Sequence, residues 1–145
     1  MNRRRSFFAA ATALFGVLVG RTAGAQATKK YRVVFDLTAD GPERWDGALR
    51  NVENVRKALG PENVEVQLVV HGKAYPLLQK TNTAMEDRLR GLTAEGVRLS
   101  LCQNTMKRFN VTKESLFPFA DTVDAAMAEL VRKQDAGWAY VKTGT

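Results

Sequence analysis

The chain has 145 residues, with 22 Lys+Arg against 15 Asp+Glu, one histidine and one cysteine. That length suits one compact domain with one hydrophobic core. A single cysteine cannot form an internal disulfide, and one cysteine with one histidine cannot close a zinc site, so neither a disulfide-stapled scaffold nor a structural zinc module is expected.

Residues 1–25 read as an export signal. Asn2-Arg3-Arg4-Arg5 is a basic start, residues 7–19 are an apolar run rich in Ala, and Ala23-Gly24-Ala25 fits a small-x-small cleavage site. The run is shorter than the ~20 residues a helix needs to span a bilayer, so a cleavable signal is predicted, with no stable membrane span after cleavage. Arg4-Arg5-Ser6-Phe7-Phe8 is similar to a twin-arginine signal, the route for folded proteins, with a general secretory signal as the alternative. Either route predicts a periplasmic protein. Cleavage after Ala25 leaves residues 26–145 as one α/β domain. It removes four arginines and no acids, leaving 18 basic against 15 acidic residues, a net charge of +3 rather than +7. No aromatic-rich RNA motif or basic stripe is present, so a nucleic-acid partner is not expected.

The domain alternates strand-like and helix-like segments. The β-branched, apolar stretch over 31–37 predicts a first strand. Asp40 as cap, Pro42 in the first turn and Glu43 three residues after the cap predict a helix start. Trp45, Ala48, Leu49, Val52, Val55 and Leu59 then share one helical face, and Gly60-Pro61 ends the helix. A second strand over 64–70 ends in an apolar run, as in a strand covered on both faces, and closes at His71-Gly72. A short helix is predicted over 74–79. Thr83-Ala84-Met85-Glu86 has the capping-box pattern, with Met85, Leu89 and Leu92 on the apolar face of the helix that follows. A third strand over 96–101 leads directly into Cys102, and a helix opens at Gln103. Residues 110–119 read as an irregular apolar connection. A helix over 123–135 uses Val123, Ala126, Met127, Leu130 and Val131, and a last strand covers 138–142.

Such alternation predicts a mostly parallel sheet with helices on both faces, and ligands in these folds bind beyond the carboxyl ends of the strands. That edge collects Thr38 and Asp40 after the first strand, His71 and Gly72 after the second, and Cys102, Gln103 and Asn104 after the third. The only histidine and the only cysteine therefore meet at one edge. A thiol at a strand-to-helix junction faces backbone N–H groups and the positive end of a helix dipole, and both favour negative charge on sulfur. A buried structural cysteine, or one paired between chains, is the alternative. Asn104 either donates to the sulfur or caps the next helix, the cap being favoured. Neither G-x-x-x-x-G-K-[ST] nor G-x-G-x-x-G occurs, and no third group for a cysteine protease is recognisable.

Five segments taken together resemble a known family. They are Asp40-Gly41-Pro42-Glu43-Arg44-Trp45, Ala48-Leu49-Arg50-Asn51-Val52-Glu53-Asn54, Val69-Val70-His71-Gly72, the run from Gly96 through Cys102 to Met106, and Gly137-Trp138-Ala139-Tyr140-Val141-Lys142. In this order they look like the DsrE/DsrF-type sulfur-relay family, in its small exported members. The resemblance implies a three-layer α/β domain with about five strands, assembled as a homo-oligomer, commonly a trimer or hexamer. It implies a cysteine that carries sulfur as a persulfide and passes it to a partner protein's thiol, without metal or organic cofactor. The matching residue is Cys102; His71 either orients or protonates the thiol–persulfide pair or only hydrogen-bonds the backbone. Related sequences carry a second glycine soon after His-Gly where this chain has Lys73-Ala74, and Lys73 would add positive charge near an anionic sulfur species. Three functions are compatible with these readings: an exported sulfur carrier acting through Cys102, a non-catalytic oligomeric module binding a small ligand or partner, and a thiol redox sensor.

Overall fold

The computed structural model describes residues 30–145, and the export signal predicted over 1–25 lies outside them. Five strands, Tyr31–Leu37 (β1), Val64–Val70 (β2), Arg98–Cys102 (β3), Asp121–Val123 (β4) and Ala139–Thr143 (β5), form one sheet in the order β4-β3-β2-β1-β5. Every pairing in it is parallel. The α-helices among the described residues are Pro42–Leu59 (α1), Thr83–Ala94 (α2), Gln103–Phe109 (α3) and Ala126–Asp135 (α4), with 3-10 turns at Gly72–Leu78 and Lys113–Ser115. The fold is a single α/β domain with helices on both faces of the sheet.

Chain order sets the layers. From β1 to β4 the chain steps outward in one direction, and right-handed crossovers keep α1 and α2 on one face. The return from β4 to β5, beside β1, runs the other way and so carries α4 over the opposite face. Two clusters of buried side chains record this. In register, Val33, Phe35 and Leu37 lie beside Val66, Leu68 and Val70 and pack on Trp45, Ala48, Leu49 and Val52 of α1 and Leu89 and Leu92 of α2. On the other face Val34, Val69, Cys102 and Val123 pack on Ala126 and Leu130 of α4 and on Trp138. Both tryptophans are packing residues, and Trp45 Nε1 also donates to the Ala39 carbonyl at 2.9 Å.

Local details depart from the sequence reading at four places. Asp40 is exposed and caps nothing. Gly41, at φ 100°, holds the N-cap position without a side-chain bond, and Pro42 occupies the first turn. Thr83 and Glu86 form no capping box. Asn82 precedes α2 and its Nδ2 donates to the Leu77 carbonyl at 3.1 Å, while Glu86 pairs with Arg90 one turn on. Asn104 lies inside α3 rather than at its cap, a position taken by Cys102. Residues 121–123 are a strand, so the helix predicted from 123 begins at Ala126. Three residues pairing with the last three of β3 are too few to show alternation.

Candidate functional site

Adjacent strands whose outgoing connections turn to opposite faces leave a crevice between those connections. Here the strands are β3, which continues into α3, and β4, which continues into α4 on the far face. Cys102 ends β3 with Val123 of β4 as its register partner. Its Sγ accepts a hydrogen bond from the backbone N–H of Ala126, the first residue of α4, at 3.3 Å. The sulfur thus lies against the positive end of the α4 dipole. Cys102 is 4 % exposed.

A cavity of about 280 Å³ opens above this sulfur. His71 and Gly72 line it from the end of β2, Asn104, Thr105 and Arg108 from α3, and Ala126 and Met127 from α4. No carboxylate lines it, and Arg108 brings positive charge. Gly72 has φ 58°, a left-handed conformation that favours glycine, and its N–H donates to Thr105 Oγ1 at 2.9 Å. That bond ties the β2 turn to α3 and fixes one wall.

His71 and Cys102 share this cavity with no hydrogen bond between them. The histidine is held from behind. Its Nε2 lies 2.7 Å from Asp36 Oδ1, while Asp36 Oδ2 accepts from the Tyr140 hydroxyl at 2.8 Å and from Lys142 Nζ at 3.2 Å. Burial pushes the Asp36 carboxyl up, but the hydrogen bonds from His71, Tyr140 and Lys142 and the Lys142 charge outweigh it and hold the group down at about 2. An ionised carboxylate only accepts, so Nε2 carries the hydrogen and Nδ1 is left as the acceptor of the neutral ring.

A carboxyl held below its unfolded value of 3.8 stabilises the fold above that pH, and the stabilisation is lost as pH falls through about 2. The shift corresponds to about 2 kcal/mol. Denaturant unfolding of wild type and Asp36→Asn is therefore expected to differ most near neutrality, with the gap shrinking to a small fraction by about pH 2. A gap unchanged across that range would mean that the carboxyl is not ionised in the fold.

The remaining predicted residues lie outside this cavity, as do Arg98 and Asn51 of the family-like segments. Thr38 accepts from Lys142 Nζ at 2.8 Å and belongs to the Asp36 network rather than to the cavity. Asp40 and Lys73 are exposed and line none of it. Gln103 turns to the β4 side and donates to Thr122 Oγ1 at 3.2 Å. Arg98 pairs with Asp121 at 3.0 Å at the start of β3, the end of the strand away from Cys102. Asn51, on α1, donates to Thr143 Oγ1 at 2.7 Å. The Asp36–Tyr140–Lys142 network was missed, and its one signal in the sequence is a lone acid in the apolar run of β1. Among the described residues, no group of three or more His, Cys, Asp or Glu is arranged to hold a metal ion, and no helix is long and apolar enough to cross a membrane.

Comparison with known proteins agrees with this architecture. The fold is similar to a solved protein of unknown function, MTH1491 from Methanobacterium thermoautotrophicum, at 29 % identity and a TM-score of 0.72, covering 77 % of this chain and 98 % of that one. It is also similar to the ychN protein from E. coli, with a TM-score of 0.63 over 79 % of this chain and 99 % of that one; at 17 % identity this is a likeness of fold alone. No curated protein matches the chain. The model of the DsrE/DsrF-like family matches residues 29–143, and the chain belongs to that family.

Proposed function

We propose that this protein is an exported sulfur carrier that accepts and passes sulfane sulfur as a persulfide on Cys102. One observation carries the reading: the only thiol of the chain lies at the base of a cavity, with its sulfur on the first N–H of α4. In loading, the Cys102 thiolate attacks the outer sulfur of a donor persulfide, D–S–SH. The donor S–S bond breaks, its electron pair leaves as the donor thiolate, and Cys102–S–SH forms. Passing the sulfur on repeats the step with an acceptor thiol. The exchange is neutral in electrons, so it needs no oxidant, metal or organic cofactor.

The signal-like residues 1–25 support export to the periplasm by a twin-arginine or general secretory route. Met127 and Val131, 57 % and 65 % exposed on the outer side of α4, support a homo-oligomer, a trimer or hexamer in keeping with the family resemblance. Met127 also lines the cavity, so such an interface would border the site.

A second reading, a ligand- or partner-binding module with an inert cysteine, is favoured by the burial of Cys102 among Val34, Val69, Leu130 and Trp138. The same burial weighs against a redox sensor that crosslinks two copies through Cys102. Alkylation by iodoacetamide at neutral pH separates the readings. The carrier is expected to be modified at Cys102 in the folded state and, once loaded, to deliver one sulfur per chain to an added thiol. Modification only after denaturation would leave the binding module standing.

A further inference from the structure

We infer that Asp36 is a positioning residue for His71, presenting the imidazole Nδ1 to carry the proton that sulfur exchange at Cys102 must move. The inference rests on the carrier reading above.

The position of Asp36 is costly to fill with a charge. It lies in the buried part of β1 and is 4 % exposed, and a carboxylate there is tolerated only when fully paired. Strand register supplies the pairing from both sides. Lys142 of β5 is its direct partner, Tyr140 stands two residues earlier on the same face, and His71 follows two residues after its β2 partner Val69. Three donors, two from β5 and one just past the end of β2, hold the carboxylate, and the last of them is the histidine that lines the Cys102 cavity. Besides His71, the titratable side chains lining that cavity are Cys102 and Arg108 of α3. Lys73, next in the chain, is exposed outside it, and α4 contributes no titratable side chain.

The exchange chemistry needs such a group. A thiolate attacking an anionic persulfide meets like charge, so the outer sulfur must be protonated when attacked. With R–SH as acceptor and Cys102–S–S⁻ as carrier, Nδ1 takes the thiol proton and returns it to the outer sulfur. The acceptor sulfur then bonds to that outer sulfur, the Cys102 S–S bond breaks, and its electron pair stays on Sγ beside the Ala126 N–H. The products are R–S–SH and the Cys102 thiolate, so atoms, charge and electrons balance. Asp36 occupies Nε2 and so assigns Nδ1 to this task.

His71 is the only histidine, so ¹⁵N NMR of the histidine-labelled full chain reads it alone. The expected wild-type signature under mildly alkaline conditions is the neutral ring protonated on Nε2. Asp36→Asn is expected to give a tautomer mixture and to slow transfer from loaded Cys102 to a small thiol about tenfold or more, at the lower end of what acid–base catalysis supplies. Alkylation of unloaded Cys102, which needs no proton shuttled between two sulfurs, is expected to stay within about twofold. Should Asp36→Asn fail to fold, the wild-type tautomer still decides, and Tyr140→Phe combined with Lys142→Met, both at exposed positions and both on Oδ2, serves as the control that keeps the Oδ1–His71 bond and is expected to leave the ring protonated on Nε2. A wild-type ring protonated on Nδ1, or an Asp36 variant with unchanged tautomer and rate, would overturn the inference. If wild type takes up no sulfur, the carrier reading falls, while the tautomer measurement, which uses no sulfur, still decides whether Asp36 positions His71.

Discussion

Ala126→Pro is expected to slow alkylation of Cys102 at neutral pH by about tenfold or more while leaving the fold standing. The substitution takes the hydrogen from the Ala126 N–H and sets the proline Cδ in its place against Sγ, so the sulfur loses its donor and must turn away from the α4 end. Ala126 is the first residue of α4, where proline is well tolerated because that N–H makes no bond within the helix. The preceding Ala125 has φ −146° and ψ 125°, the extended conformation that proline requires of its predecessor. The N–H lost is the one that donates to Cys102 Sγ. A hydrogen bond to a charged group contributes roughly 1.5–3 kcal/mol, which sets the tenfold scale. Alkylation rates with a small neutral reagent, beside a thermal melt to confirm folding, read the effect. An unchanged rate in a folded variant would mean that α4 does not activate the sulfur.

Phe35→Ala is expected to have the largest effect on stability, a loss of about 3–5 kcal/mol. Phe35 is fully buried at the centre of β1, with Leu68 and Val141 as register partners. It points to the α1 face, and removing its ring leaves a cavity that the two neighbouring strands and the helix cannot all close. Domains of this size hold about 5–15 kcal/mol in total, so the variant stands near the edge of folding. Urea unfolding with an unchanged slope would report the loss directly. A loss below about 1 kcal/mol would contradict the placement of Phe35 in the core.

The placement of Cys102 and His71 at one edge was legible because it depends on topology. Alternating strands and helices imply parallel strands, and parallel strands bring the residues just past their carboxyl ends together. That rule locates an edge and does not aim a side chain. Lys73 follows His71 in the chain yet is exposed outside the cavity, and Gln103 follows Cys102 yet reaches toward Thr122. Asp36 was illegible for the opposite reason. Its role depends on two other strands: β5, which follows it by a hundred residues, and the end of β2. The sequence holds no sign of which strand lies beside β1 on that side. The order that puts β5 there depends on α4 crossing the whole sheet, and the short β4 from which it departs was not read as a strand, its last residue, Val123, reading as the start of a helix. The helix starts were misplaced by backbone chemistry rather than by pattern. Asp40 and Thr83 carry capping signatures, but Gly41 and Asn82 occupy the cap positions and leave those side chains unused.

The central claim is that Cys102 carries sulfur, and intact mass tests it most directly. The full chain is incubated with a polysulfide donor, freed of excess donor, and weighed with and without reductant, beside Cys102→Ser treated in the same way. The account predicts a reductant-sensitive gain of about 32 Da, one sulfur atom, on wild type and none on the variant. A wild-type chain that keeps its unmodified mass, or a gain that persists in Cys102→Ser, would contradict it.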